Sequence, residues 1–83
     1  MSDILSIRKK IDFVNESIVN LLIERKDLSM KIGKIKREQG IPIYDSTREK
    51  CIYDSLKLKY PDNYDYLKPI FESIILSSRN VQR

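Results

Sequence analysis

The chain has no histidine, no tryptophan and a single cysteine, with only two glycines and three prolines among its 83 residues. Each scarcity excludes something. Without histidine the commonest general base at neutral pH is missing. With Cys51 alone there is no cluster of soft ligands for zinc, so no metal is expected. One cysteine offers no disulfide framework, and a reducing cytoplasm is the expected compartment. No apolar run approaches the roughly 20 residues of a membrane span, so no membrane partner is expected. The opening MSDILSIRKK lacks the unbroken apolar stretch of a secretory signal. Internal repeats, low-complexity segments and strand-like alternation are also missing.

What is present is charge of both signs and one long apolar repeat. The 16 Lys and Arg outnumber the 12 Asp and Glu, for a net charge of +4. The basic residues are interspersed with acidic ones rather than bunched. That speaks against a phosphate-tracking surface, and no nucleic-acid partner is expected. A solvated basic surface or a pocket for a small anion fits better. Eighty-three residues suit one domain, residues 1–83, with a core small enough to favour oligomerisation.

The repeat lies in residues 3–38. Ile4, Ile7, Ile11, Val14, Ile18, Leu21, Arg25, Leu28, Ile32 and Ile35 follow one another in alternating steps of three and four. This spacing predicts one long helix with a single packing seam. Roughly 36 helical residues at 1.5 Å each span about 54 Å. A globule of this size has a radius of gyration of only about 12 Å. The seam therefore needs a second copy to cover it, most simply in a two-fold antiparallel homodimer. Arg25 is the one seam position that is not apolar, and a guanidinium there needs an anion.

Ser2 or Asp3 can cap this helix, and Gly40 followed by Pro42 ends it. Ser46-Thr47-Arg48-Glu49 reads as a capping box, with Ser46 as the cap and Glu49 reaching back to it. A second helix then runs to about Lys59, with Ile52, Tyr53 and Leu56 on its apolar face and Cys51 packing there as a small apolar residue. Tyr60-Pro61-Asp62-Asn63 is a turn, and Asp62 or Asn63 can cap a third helix faced by Leu67, Ile70, Phe71, Ile74 and Ile75. Pro69 predicts that this helix starts near Asp65 or Tyr66, or else is kinked. The fold class is all-α, with one very long, one short and one medium helix per chain.

Among the basic residues, Arg25 and Lys36 fall within about 20° of each other around the long helix, roughly 16 Å apart along it. Two long side chains so placed can converge on one small ligand. Arg8 is about 25 Å from Arg25 on the same helix. With a two-fold axis near residue 19, Arg8 of the partner subunit arrives opposite residue 30, between Arg25 and Lys36.

The ordered set Ile7-Arg8-Lys9-Lys10-Ile11-Asp12, Leu21-Leu22-Ile23-Glu24-Arg25, Ile32-Gly33-Lys34-Ile35-Lys36, Pro42-Ile43-Tyr44-Asp45-Ser46-Thr47-Arg48-Glu49, Ser78 and Gln82 resembles the all-helical class of chorismate mutase over nearly the whole chain. The resemblance implies an intertwined dimer that converts chorismate to prephenate, without a cofactor, in phenylalanine and tyrosine biosynthesis. It implies that Arg25 and the partner's Arg8 bind the substrate carboxylates. It implies likewise that Lys36 reaches a carboxylate and the ether oxygen, with Gln82 as the second donor to that oxygen. On the same resemblance, Glu49 and the backbone at Asp45 are expected to hold the substrate hydroxyl, Arg48 to support the site and Ser78 to line it. An isochorismate pyruvate-lyase on the same fold is the alternative within the family. A non-catalytic basic dimer binding nucleic acid or a protein is the alternative outside it.

Overall fold

The computed structural model describes residues 3–83, so Ser2, one of the two expected caps, lies outside the described residues. Helix α1 runs Asp3–Gln39, α2 runs Ser46–Lys59, and a 3-10 turn at Pro61–Asn63 leads into α3, Tyr64–Gln82. No strand occurs among the described residues.

The 37 residues of α1 contain no proline and only one glycine, Gly33. Asp3 in its first turn and Lys36 and Arg37 in its last complement the helix dipole. Gly40 terminates it at φ 68°, where a side chain would be strained. The Ile41 amide then donates back to the Lys36 carbonyl at 2.8 Å, the six-to-one closure of a Schellman turn. Proline two residues past Gly40 forbids continuation.

The cap of α2 lies one residue earlier than expected. Asp45, with extended backbone at φ −130°, accepts from the Arg48 amide at 2.9 Å, and Ser46 is already helical. Asp45 has the extended backbone a cap requires, and its charge is also favourable at the dipole's positive end. Glu49 does not reach back to Ser46; its carboxylate pairs with Arg79 instead. Asp45→Ala is expected to cost about 1 kcal/mol of unfolding free energy, and Ser46→Ala a few tenths at most. Denaturant titration of both variants checks which residue is the cap.

Two further expectations change. Cys51 is exposed rather than packed. Ile52, Tyr53 and Leu56 turn inward, and Cys51 sits about 200° round the helix from Tyr53. Helix α3 starts at Tyr64, so Pro69 falls in the second turn and forfeits the bond its amide would give the Asp65 carbonyl. The preceding 3-10 turn, with the Asn63 amide on the Tyr60 carbonyl at 3.1 Å, starts the helix without a side-chain cap from Asp62 or Asn63.

Helix α3 packs along α1, and α2 packs on α3. Leu56 of α2 and Ile75 of α3 are the buried apolar residues among those described. The seam of α1 stays open: its nine apolar members from Ile4 to Ile35 are 47% to 63% exposed. An apolar groove of about 780 Å³, lined in part by Ile18, Leu22, Ile70, Ile74 and Val81, runs between α1 and α3. The chain presents 7051 Å² of surface, where a compact monomer of its mass presents about 5,200 Å². Its radius of gyration is 16.2 Å and its longest dimension 58 Å, both set by α1.

Candidate active site

The C-terminal half of α1 carries Arg25, Ser29, Gly33 and Lys36 on one stripe, at steps of four, four and three. On α3, Ile75, Ser78 and Gln82 continue the buried face past its apolar part by the same arithmetic. The two stripes meet. The Ser29 and Ser78 hydroxyls are 2.7 Å apart. Gly33 lies so close to the end of α3 that a Cβ there would stand 2.5 Å from the Gln82 carbonyl oxygen and 2.6 Å from its Cα. Only a residue without a side chain lets the helices approach this far.

That approach fixes Gln82, which is buried at 8% exposure despite lying in the last turn. Arg37 donates to its backbone carbonyl at 2.6 Å, and the Lys36 ammonium donates to Oε1 at 2.8 Å. The Gln82 Nε2 donates to Ser78 Oγ at 3.3 Å. Because a cation occupies Oε1, the amide's remaining donor capacity is the second N–H of Nε2, beyond its bond to Ser78. Lys36 also donates to the Ile43 carbonyl at 2.8 Å, tying the α1–α2 linker to the same point. Two of its three N–H groups are thus directed, and a third remains for a ligand.

These groups line one cavity of about 420 Å³. Arg25 and Lys36 from α1, Asp45, Arg48 and Glu49 from the start of α2, and Ser78 and Gln82 from α3 all contribute to it. Seven of the eight residues selected from the sequence are therefore brought together. Arg8 is not among them; it is exposed on the N-terminal part of α1, away from this cavity. Ser29 and Arg79 also line it and were missed. Ser29 was legible as the residue one turn beyond Arg25. Arg79 carried no local signal, because its partner Glu49 is 30 residues distant in sequence.

The electrostatics are those of an anion site. Arg25, Lys36, Arg48 and Arg79 face the cavity against the carboxylates of Asp45 and Glu49. Burial, and after it the Arg48 charge, push the Arg25 guanidinium below its usual range. An anion between Arg25 and Arg48 offsets both effects. Glu49 and Arg79 pair through two hydrogen bonds, one of them 2.7 Å from Nε. Among the described residues no group of three or more His, Cys, Asp or Glu side chains is placed to hold a metal, and no helix is long and apolar enough to cross a membrane.

Gly33→Ala tests the helix contact. In an open helix this change gains about 1 kcal/mol. Here the overlap with the Gln82 backbone outweighs that gain, and a net loss of about 1–3 kcal/mol is expected in chemical denaturation. A stabilised variant would mean that α1 and α3 do not pack this closely.

Comparison with known proteins bears on the family and the fold. Residues 7–83 match the family described as Chorismate mutase type II. A chorismate mutase of Methanocaldococcus jannaschii is 47% identical over 51 residues, which is 61% of this chain and 52% of that protein. A bifunctional chorismate mutase/prephenate dehydratase of Aquifex aeolicus is 38% identical over 68% of this chain but only 16% of its own length. The matches thus span about half of the first relative and a small part of the second. Among solved structures, a chorismate mutase (form II) of Thermus thermophilus superimposes with a TM-score of 0.91 at 31% identity, covering 98% of this chain and 94% of that one. A conserved hypothetical protein of Pyrococcus furiosus does so with a TM-score of 0.83 at 34% identity over the full length of both. On the extent of the family match and the agreement in fold, the chain belongs to the chorismate mutase type II family.

Proposed function

We propose that the chain is a chorismate mutase that works as an intertwined antiparallel homodimer. The observation that carries the reading is the donor pair Lys36–Gln82, joined at 2.8 Å at the wall of a cavity that also holds Arg25 and Arg48. In the [3,3] rearrangement the ether C–O bond of chorismate breaks as a new C–C bond forms within the same molecule. No proton is transferred and no covalent intermediate forms, so a site without histidine suffices. Negative charge grows on the ether oxygen as the bond breaks. The Lys36 ammonium and the Gln82 Nε2 stabilise that charge more than they stabilise the ground state.

Substrate binding falls to the guanidinium groups. Arg25 grips one carboxylate through its planar fork, the partner's Arg8 grips the other, and Lys36 contacts a carboxylate as well. Arg48 supports the site, while Ser78 lines it near a carboxylate. Glu49 and the Asp45 backbone hold the substrate hydroxyl. Fixing both carboxylates keeps the flexible molecule in the chair-like reactive conformer, and the hydroxyl contact adds binding alone. Three features support the dimer: the open seam of α1, the apolar groove between α1 and α3, and the surface in excess of a compact monomer. An antiparallel partner helix laid along the seam also brings its Arg8 to the cavity.

Product analysis tests the reading against its alternative. Purified protein is incubated separately with chorismate and with isochorismate. Prephenate from chorismate, with neither salicylate nor pyruvate from isochorismate, is the expected result. Salicylate and pyruvate as the main products would assign the chain to the lyase reaction.

A further inference from the structure

We propose that Arg79 is a positioning residue for Glu49, aiming its carboxylate at the substrate hydroxyl, and that the Tyr44 ring in turn steadies Arg79. The proposal rests on the chorismate reading above. The Arg79 Nε donates to Glu49 Oε2 at 2.7 Å, and Nη2 donates to Oε1, so both carboxylate oxygens are engaged by one planar fork. The guanidinium carbon stands 4.7 Å from the centre of the Tyr44 ring, within cation–π range. Three elements thus meet at one point: the α1–α2 linker, the first turn of α2 and the end of α3.

Glu49 is the more enclosed partner, its side chain 16% exposed against 34% for Arg79. A carboxylate so placed needs a cation, and Arg79 supplies it. The bond to Glu49, working against partial desolvation, raises the Arg79 guanidinium above its usual range. A carboxylate has about four lone-pair sites; the fork takes two and leaves two for a hydroxyl in the cavity. Left unpaired, a glutamate side chain would sample several rotamers, only some of which face the cavity.

The substrate hydroxyl keeps its charge and its bonds throughout the rearrangement. A contact to it contributes equally to ground and transition states, and its loss appears in KM rather than kcat. Arg79 also lines the cavity. Its alternative role, direct attraction of the dianion, gives a different result when Glu49 is already disabled.

The test compares Arg79→Met, Glu49→Gln and the double variant, with Arg79→Lys as the conservative control and helicity checked by circular dichroism. Arg79→Met is expected to raise KM about tenfold, the scale of a charge-assisted hydrogen bond, with kcat within about threefold. Arg79→Lys recovers part of the loss, since it keeps the charge but not the fork. In the Glu49→Gln background Arg79→Met adds nothing. Tyr44→Leu raises KM a few-fold, and only while Arg79 is present. The same KM increase in both Glu49 backgrounds would overturn the proposal, as would a fall in kcat at unchanged KM. Failure of the unsubstituted chain to turn over chorismate would overturn the underlying reading, and the proposal with it. Turnover without coupling between Arg79 and Glu49 would overturn the proposal alone.

Discussion

Lys36→Ala is expected to lower kcat by about 10²–10³-fold, the effect of deleting one donor to a developing oxyanion. Its position explains the size of the effect. The ammonium is a direct donor to the ether oxygen in the proposed complex. It also holds Gln82 Oε1 at 2.8 Å, which leaves Nε2 as the amide's donor to that oxygen in the proposed complex. Removing Lys36 therefore weakens one donor by deletion and the other by release. Gln82→Ala should cost less, because Lys36 remains. The double variant should lose less free energy than the two single losses summed, since the residues share one hydrogen bond. Single-turnover rates at saturating chorismate give these values directly. Activity of the Lys36→Ala variant within a few-fold of the unsubstituted chain would remove Lys36 from the mechanism.

The second large effect concerns Arg8. It is distant from the cavity of its own chain, and in the proposed dimer it serves the partner's. Arg8→Ala and Lys36→Ala homodimers should each be nearly inactive. A heterodimer of the two has one site with both defects and one site with neither. With random exchange half of the dimers are mixed, so an equimolar mixture should recover about a quarter of the unsubstituted activity. No recovery, after mass spectrometry has verified subunit exchange, would mean that Arg8 does not cross between chains.

The sequence made some of this legible and hid the rest for identifiable reasons. Helix α1 could be read because a seam at steps of three and four runs through it and Gly40 stops it. Arg25 stood out because it broke that seam, and Lys36 because it lies on nearly the same side of the helix. The start of α2 was misplaced by one residue. Asp45, Ser46 and Thr47 are all competent caps, and only the backbone decides among them. The Arg79–Glu49 and Arg37–Gln82 bonds join residues 30 and 45 apart, which no local period reveals. Gly33 could be seen as a lapse in helix propensity, but not as the point where α3 closes on α1. What escaped was the set of contacts that hold the reacting groups in place.

In the proposed reaction fixed charges, not proton transfer, drive the conversion of chorismate. The most direct test is turnover of chorismate by the purified chain in light and heavy water, with the product identified by mass. Prephenate is the expected product, at rates that agree to within about a fifth in the two solvents, because no proton moves in the chemical step. Absence of prephenate, or a rate at least about twofold slower in heavy water, would contradict a rearrangement driven by fixed charge alone.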